Sequence, residues 1–180
     1  AASGNMLNDV IDLSVDTINQ PDRLLPRHEL EPRQVVRVSL FANICALLIS
    51  MLVSATHFGI VCLAIVVLFI YNLWLKNTPL FGNLIVGMLS GLLFILGALN
   101  YNLNITIIWL TVVSSIGISS RELLKTIADV KGDQVHYPYT LPVLLGLNRS
   151  ITVYRFLLCV FLVVVFLSAM LLPLGTFYRL

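Results

Sequence analysis

The sequence predicts an all-α membrane protein, a polytopic bundle of transmembrane helices. Only 11% of its 180 residues are charged and 58% are apolar, whereas about a quarter of the residues in a soluble domain are charged. The apolar residues form long runs, and the charged residues are gathered in the breaks between them. These observations exclude an ordinary soluble domain and favour an integral membrane protein.

The apolar runs define the elements in chain order. The first segment, Ala1–Asp16, is predicted to be the polar end of a helix, with small residues at its start that suit close helix contact. A full span needs roughly 20 mostly apolar residues. Five later segments meet or approach this length: Val35–Ser54, Phe58–Leu75, Leu84–Leu99, Ile105–Ser119 and Ile151–Leu172. The fourth of these can continue toward Ala128.

The charges give one consistent topology for these five spans. Spanning helices place successive breaks on opposite sides, so one side receives residues 17–34, 76–83 and 120–150. With the end of the first segment, up to Asp16, and with Arg37 and Arg155 counted as helix ends, that side holds every acidic residue and every basic residue except Arg179. Basic residues in short loops mark the cytoplasmic face. We therefore expect the acidic clusters to lie on the cytoplasmic side of a multi-pass protein.

Net charge and cysteines add little about partners. The net charge of +2 comes from basic residues interleaved with acids, so it gives no indication of a nucleic-acid partner. The three cysteines lie inside apolar runs and are predicted to be small buried hydrophobic residues. They are Cys45, Cys62 and Cys159.

Two clusters of carboxylates lie at the edges of the apolar runs. Asn8, Asp12 and Asp16 are spaced by four and fall on one helix face, which Asp9 borders. Asp129 and Asp133 repeat this spacing. Carboxylates on one face repel each other unless a cation lies between them. Mg²⁺ prefers oxygen ligands and is usually held by one or two carboxylates plus substrate phosphate. The pattern therefore predicts divalent metal bound with a diphosphate.

Basic and polar residues near the clusters are candidates for binding the remaining phosphate oxygens. They are Arg23, Lys76, Arg121 and Lys125. Each feature also has a simpler interpretation. The acids could cap solvated helix ends, Lys76 could be a charge anchor at the membrane surface, and Tyr71 could belong to an aromatic belt. Asn72, four residues before Lys76, could line the same cavity or bond a neighbouring helix.

Three segments together resemble the UbiA superfamily of intramembrane prenyltransferases. The run from Asn8 to Asp16, followed by Asn19-Gln20-Pro21-Asp22-Arg23, resembles the first aspartate-rich motif of that family. The run from Arg121 to Asp133 resembles the second, and Tyr71 through Lys76 resembles the tyrosine-and-lysine segment between them. The order of the three segments agrees with the family, and the resemblance covers essentially the whole chain.

The resemblance implies a helical bundle around a central cavity that uses Mg²⁺ to ionise an allylic diphosphate and passes the prenyl group to a lipophilic acceptor. It implies that Arg23, Lys76 and Lys125 contact phosphate and that Tyr71 lies near the reacting carbon. It implies that the metals and diphosphate are held by Asn8, Asp9, Asp12, Asp16, Asp129 and Asp133. Family members have nine spans, so we expect residues 1–180 to be a single UbiA-like domain, incomplete at both ends.

The acceptor is inferred from the branch of the family. Arg121–Asp133, Thr140-Leu141-Pro142 and the segment from Thr78 to Asn83 resemble the branch that attaches geranylgeranyl to geranylgeranylglyceryl phosphate, forming an ether lipid. The sequence departs from the family pattern at Leu24, where a proline is usual, and at Thr126 and Ala128, where this branch often has an acid. An aromatic acceptor of quinone biosynthesis, or chlorophyllide, is the alternative.

Two other classes of protein share some of these features. A cation-coupled transporter also carries intramembrane acids, but here the acids lie at helix ends and no paired broken helices are evident. A noncatalytic subunit could use the same acids as helix caps. Metal-dependent diphosphate binding separates an enzyme from both.

Overall fold

The structure, a computed structural model, describes residues 2–101 and 103–171. Every regular element in these two ranges is helical, which confirms the predicted all-α class. A single 3₁₀ turn at Leu75–Asn77 follows the second long helix. The α-helices are α1 (Ala2–Ile11), α2 (Leu13–Asn19), α3 (Pro32–Val53), α4 (Ala55–Leu73), α5 (Phe81–Ala98), α6 (Ile105–Ala128), α7 (Val130–His136), α8 (Leu141–Leu145) and α9 (Leu147–Leu171).

Five of these helices, α3, α4, α5, α6 and α9, are long and apolar enough to cross a membrane, which confirms the five predicted spans. The fourth span takes the longer of the two predicted extents and reaches Ala128. Large apolar side chains such as Phe41, Leu52 and Phe166 are exposed along the spans, as expected of helices that face lipid. The predicted boundaries at Ala1 and Leu172, and Arg179, lie outside the described residues.

Local sequence explains where the first two spans begin. Pro32 occupies the first turn of α3, and the Glu31 and Gln34 side chains form a capping box there. The Ser54 hydroxyl accepts a hydrogen bond from the backbone N–H of His57 at 3.2 Å and caps α4. Because Ser54 alone separates α3 from α4, these two spans form a tight pair.

Helices α5 and α6 pack closely because glycines of α5 face hydroxyl residues of α6. A Cβ added at Gly87 would overlap the Ser119 hydroxyl, and one added at Gly91 would overlap the Ser115 hydroxyl. Ser115 and Ser119 donate hydrogen bonds to the carbonyls four residues earlier, so their hydroxyls are satisfied inside α6. Small residues that permit close backbone approach are typical of helix packing in membranes.

The predicted N-terminal helix is broken, contrary to the expectation of one continuous helix through Asp16. Helix α1 ends at Ile11 and α2 begins at Leu13. Polar contacts attach α1 to α3: the Ser3 hydroxyl donates to Asn43 Oδ1 at 2.6 Å, and the Ser39 hydroxyl donates to the Ser3 carbonyl at 2.8 Å. The short helices α2 and α7 lie together, and the acidic clusters meet at their junction.

Candidate active site

The first acidic cluster lies at the break between α1 and α2. Asp12 has φ −85° and ψ 5°, outside regular helix, and ends α1. The hydrogen-bond pattern nevertheless continues, because the Asp12 N–H donates to the Asn8 carbonyl and the Asp16 N–H donates to the Asp12 carbonyl, both at 2.8 Å. Asn8, Asp12 and Asp16 therefore stay close to one face despite the break, and both aspartates are buried.

The second acidic cluster has the same backbone form. Asp129 has φ −86° and ψ 8° and separates α6 from α7, as Asp12 separates α1 from α2. The Asp129 N–H donates to the Lys125 carbonyl at 2.9 Å, and the Asp133 N–H donates to the Asp129 carbonyl at 3.2 Å. In both clusters the second aspartate lies in the first turn of a seven-residue helix, where its negative charge is favoured by the helix dipole.

Asn19 joins the two clusters directly. Its Nδ2 donates to the Asp129 carbonyl at 2.8 Å, and its Oδ1 accepts from the Gly132 N–H at 2.9 Å. A Cβ at position 132 would lie 2.6 Å from Asn19 Nδ2 and 2.9 Å from a methyl of Val15, so glycine is needed for this approach. One amide side chain therefore holds α2 against the start of α7.

Both carboxylate oxygens of Asp12 have partners within the protein. Oδ2 pairs with Lys76 Nζ and accepts a hydrogen bond from Asn8 Nδ2 at 2.7 Å. Oδ1 accepts from the Tyr137 hydroxyl at 2.7 Å. Lys76 Nζ also lies 5.1 Å from the centre of the Tyr137 ring, within range of a cation–π contact. Burial and the negative charge of Asp12 raise the pKa of Tyr137, so its hydroxyl stays protonated as the donor.

Arg23 binds the other end of the first cluster. Its guanidinium donates to Asp16 Oδ2 at 2.8 Å and to Asp9 Oδ1 at 3.2 Å. Burial raises the pKa of the Asp16 carboxyl above its ordinary value, and the adjacent Arg23 opposes that rise. The arginine predicted to bind phosphate therefore contacts motif carboxylates in this structure.

The acidic cavity is the small cavity enclosed by the two clusters. Burial raises the pKa of Asp133 to about 6, and the nearby positive charge of Lys76 opposes that rise. Asn83 also lines this cavity, and its Nδ2 donates a hydrogen bond to the Thr126 hydroxyl at 3.1 Å. The residues that line the cavity are Asp12, Val15, Asp16, Tyr71, Lys76, Asn83, Glu122, Lys125, Thr126, Asp129, Asp133 and Thr140.

A second cavity of about 300 Å³ lies beside the acidic cavity. Tyr71, Glu122 and Lys125 line both, so these three side chains form the wall between them. The other residues that line the second cavity are Gly4, Asn5, Asn8, Asp9, Arg23, Leu68, Asn72, Val86 and Arg121. The two cavities therefore adjoin at these three side chains.

The predicted site residues are divided between these cavities. The acidic cavity brings together Asp12, Asp16, Tyr71, Lys76, Lys125, Asp129 and Asp133. The second cavity receives Asn8, Asp9, Arg23, Asn72 and Arg121. The side chain of Arg121 is 70% exposed and pairs with Glu122 at 2.7 Å, so it lies at the rim of the second cavity and away from the acidic one.

The donor set suits Mg²⁺, although the described residues hold no ready-made metal cage. Across residues 2–101 and 103–171, no three His, Cys, Asp or Glu side chains are close enough to hold one ion. Mg²⁺ does not require three protein ligands, because it keeps several waters and takes one or two carboxylates together with substrate phosphate. Asp12, Asp16, Asp129 and Asp133 offer only hard oxygen atoms, which is the chemistry that this ion prefers.

Sequence reasoning assigned no role in the site to three residues that organise it. Tyr137 binds Asp12, Asn19 joins the clusters, and Thr140 is a buried residue that lines the acidic cavity. Tyr137 follows Asp133 by four positions, as Asp133 follows Asp129, so it continues the spacing of the second cluster. That spacing was a signal for Tyr137. Nothing in the sequence singled out Asn19 as a bridge.

Comparison with known proteins gives a family match over the whole chain. The model described as the UbiA prenyltransferase family matches residues 1–180. A digeranylgeranylglyceryl phosphate synthase of Methanothrix thermoacetophila is 33% identical over 176 residues, which cover 98% of this chain and 64% of that protein. One from Thermococcus gammatolerans is 34% identical over 155 residues, which cover 86% of this chain and 56% of that protein. The chain thus spans about three fifths of the length of these relatives.

Solved structures share the helical arrangement. A chain from a structural study of digeranylgeranylglyceryl phosphate synthase in membranes has 26% sequence identity and a TM-score of 0.68, with coverage of 98% of this chain and 63% of that one. The apo structure of a UbiA homolog from Aeropyrum pernix K1 has a TM-score of 0.79 at 15% identity, with coverage of 99% and 69%. The second likeness shows the fold alone.

Proposed function

Because this chain belongs to the UbiA prenyltransferase family, we propose that it transfers a prenyl group from an allylic diphosphate to a lipophilic acceptor within the membrane. The observation that carries this proposal is the acidic cavity. It combines four motif aspartates and Lys76 with Tyr71 at its wall. Paired carboxylates and a lysine in one cavity suit a metal-bound diphosphate, because metal and lysine balance the charge of its oxygens.

The diphosphate and Mg²⁺ are proposed to bind between the two clusters, where the cavity of about 30 Å³ must widen to admit them. Asp12, Asp16, Asp129 and Asp133 hold the metal, with Asn8 and Asp9 at the edge of the same set. When bound, Mg²⁺ neutralises the charge that develops on the departing diphosphate. Lys76 and Arg23 donate to phosphate oxygens once they leave their present carboxylate partners. Arg121 and Lys125 remain available to substrate phosphate along the wall and rim.

The chain's own residues support bond cleavage in a water-poor site. The allylic carbon–oxygen bond breaks and the bonding pair leaves with the diphosphate. The acceptor hydroxyl oxygen forms the new bond to the allylic carbon, and its proton passes to the departing diphosphate. Tyr71 lines both cavities, where its aromatic ring stabilises positive charge on the reacting carbon. Apolar spans around the site exclude water that would otherwise capture that carbon.

Geranylgeranylglyceryl phosphate is the acceptor that we propose, with geranylgeranyl diphosphate as the donor. Relatives that are 33% and 34% identical are named digeranylgeranylglyceryl phosphate synthase, which supports this choice. The product is a membrane ether lipid. The five apolar spans make this an integral membrane protein, and the distribution of basic residues supports a cytoplasmic position for the acidic cavity.

A product screen tests the proposal. The purified protein in nanodiscs is incubated with Mg²⁺, radiolabelled geranylgeranyl diphosphate and, in separate reactions, geranylgeranylglyceryl phosphate, hydroxybenzoate, naphthoate and homogentisate. We expect a labelled diether lipid with the first acceptor only. Transfer to an aromatic acceptor would reassign the branch. A protein that fails to bind the diphosphate in a Mg²⁺-dependent manner would not be a prenyltransferase of this kind.

A further inference from the structure

The second cavity contains a buried amide that lacks protein partners. Asn72 is 3% exposed, and neither its Nδ2 nor its Oδ1 has a hydrogen-bond partner among the described residues. Buried polar groups without partners are rare because each loses its bonds to water on burial and gains nothing in exchange. Other polar side chains nearby are satisfied, since Ser3 bonds Asn43 and Ser39 bonds the backbone of Ser3. An unpaired amide here indicates a ligand.

A lysine in the same cavity lacks an acidic partner. Lys125 is half-buried and makes no ion pair within 4.0 Å in the described part of the chain. The three other basic residues of the two cavities do have partners: Lys76 pairs with Asp12, Arg23 with Asp16 and Asp9, and Arg121 with Glu122. Lys125 is therefore the basic side chain left available to an anion, and a lysine suits a phosphate.

An apolar groove adjoins the second cavity. The groove has a volume of about 440 Å³ and lies between α1, α3 and α4. Leu7, Leu40, Ile65 and Phe69 contribute its apolar surface. Gly4, Leu68 and Asn72 line both the groove and the second cavity. Asn72 thus lies at the junction of a polar space and an apolar one.

We propose that the second cavity and the apolar groove bind the acceptor, a single-chain lipid with a phosphoglycerol head. Asn72 holds the free hydroxyl, Lys125 pairs with the phosphate, and the alkyl chain lies in the groove. A ligand with one hydroxyl, one phosphate and one chain matches the unpaired amide, the unpaired lysine and the groove. This assignment rests on the proposed prenyl transfer and specifies where its second substrate binds.

The position explains how the two substrates meet. The acceptor hydroxyl in the second cavity and the allylic carbon in the acidic cavity meet beside Tyr71, which lines both cavities. The hydroxyl oxygen forms an ether bond to the allylic carbon as the carbon–oxygen bond to diphosphate breaks. The bonding pair leaves with the pyrophosphate, which also receives the hydroxyl proton. Asn72 accepts the hydrogen bond that orients this hydroxyl before transfer.

Binding of the acceptor alone tests the proposal. The protein in nanodiscs is titrated with geranylgeranylglyceryl phosphate, and with the corresponding phosphate-free alcohol, without donor. Asn72→Leu is expected to weaken binding of both about tenfold or more, with Asn72→Ser intermediate. The Lys125→Gln protein is expected to bind geranylgeranylglyceryl phosphate no more tightly than it binds the phosphate-free alcohol. Asn104→Leu, which removes an amide that caps α6, and Arg149→Gln, an exposed position, are the matched controls.

A parallel titration with Mg²⁺ and geranylgeranyl diphosphate separates the two proposals. Asn72→Leu should keep the donor affinity of the unchanged protein. If Asn72→Leu and Asn72→Ser bind the acceptor normally and only their melting temperature changes, the amide serves packing and the acceptor site is wrong. If Lys125→Gln loses donor affinity and keeps its preference for the phosphate, Lys125 belongs to the donor site. If the unchanged protein does not bind geranylgeranyl diphosphate in the presence of Mg²⁺, the proposed function is rejected instead.

Discussion

Lys76 and Asp12, which both line the acidic cavity, form an ion pair, although 64 positions separate them in the sequence. The side chain of Asp12 is 5% exposed, and its second oxygen is occupied by the Tyr137 hydroxyl. Because Oδ2 is already bonded by both Lys76 and Asn8, a metal ion that binds this oxygen must replace one of them. In the ligand-free protein the ammonium group of Lys76 supplies the positive charge beside Asp12 that a bound metal ion would otherwise supply.

Lys76→Met should separate metal binding from diphosphate binding. Without the competing ammonium group, Mg²⁺ should bind the ligand-free protein about tenfold more tightly, since a charged hydrogen bond contributes ~1.5 kcal/mol or more. Diphosphate affinity should fall because one phosphate donor is lost. Isothermal titration with each ligand measures both, and Lys131→Met, at an exposed position, is the control. Unchanged Mg²⁺ affinity would mean that the pair does not limit metal entry.

Asp12→Asn and Asp129→Asn should each lower the rate of prenyl transfer at least about 100-fold. Each substitution removes a negative charge that holds the metal, and without the metal the charge that develops on the diphosphate has no counterion. Membrane insertion should be unaffected, since both residues lie at helix ends. Product formation and membrane fractionation measure the two effects. Glu29→Gln changes an exposed acid outside both cavities and should retain full activity. Normal turnover in either aspartate variant contradicts the site.

Asn19→Leu should loosen the contact between the two acidic clusters. Two hydrogen bonds to the backbone are lost, at a cost of about 1–3 kcal/mol if the backbone groups stay buried. The melting temperature should fall, and Mg²⁺-dependent diphosphate affinity should fall with it because the carboxylates are no longer held together. Asn148→Leu, at an exposed position, is the control. A variant with lower stability and unchanged diphosphate affinity would show that the bridge is only structural.

Mg²⁺ binding should depend on pH through Asp133. Burial raises the pKa of this carboxyl from 3.8 to about 6, so a proton competes with metal below that pH. Affinity for Mg²⁺ should rise as pH increases through about 6 and level off above it. In the metal-free protein the raised pKa favours folding below 3.8, and that contribution is lost as pH rises through about 6.

Titrations of Mg²⁺ between pH 5 and pH 8, with melting curves in its presence and absence, test this dependence. Asp133→Asn removes the titrating group and should flatten the change near pH 6. Asp16 contributes in the same direction, because burial also raises its pKa. The same transition in Asp133→Asn would assign it to another group.

Gly91→Ala should destabilise the protein by about 1–3 kcal/mol, as is typical of overpacking. The added methyl would overlap the Ser115 hydroxyl and force α5 away from α6. Gly97→Ala is the matched control in the same helix, because no atom lies within 4 Å of a Cβ there, and alanine favours helix over glycine. Thermal unfolding in detergent compares the two. Equal melting temperatures would mean that the α5–α6 contact can relax.

Hydropathy predicted the spans because membrane thickness fixes the length of an apolar helix. The spacing of four predicted which aspartates share a side, and the structure brings Asp12, Asp16, Asp129 and Asp133 to one cavity. The spacing of four did not predict the breaks at Asp12 and Asp129, because the backbone angles of these two residues depend on how α2 and α7 pack. Tyr137 and Asn19 were missed for the same reason, since their partners are distant in sequence and only the fold brings them together.

The matching breaks at Asp12 and Asp129 have a consequence for the leaving group. Their φ and ψ angles agree within 3°, and each is followed by a short helix with a second aspartate. The protein therefore offers the same local frame twice. Inorganic pyrophosphate also has two equivalent halves about a bridging oxygen. Because the two frames are alike and the two halves of the ion are alike, the frames do not distinguish one half from the other. The direction of the reaction is therefore set by the unequal surroundings, with Arg23 at one end and Tyr71 at the wall.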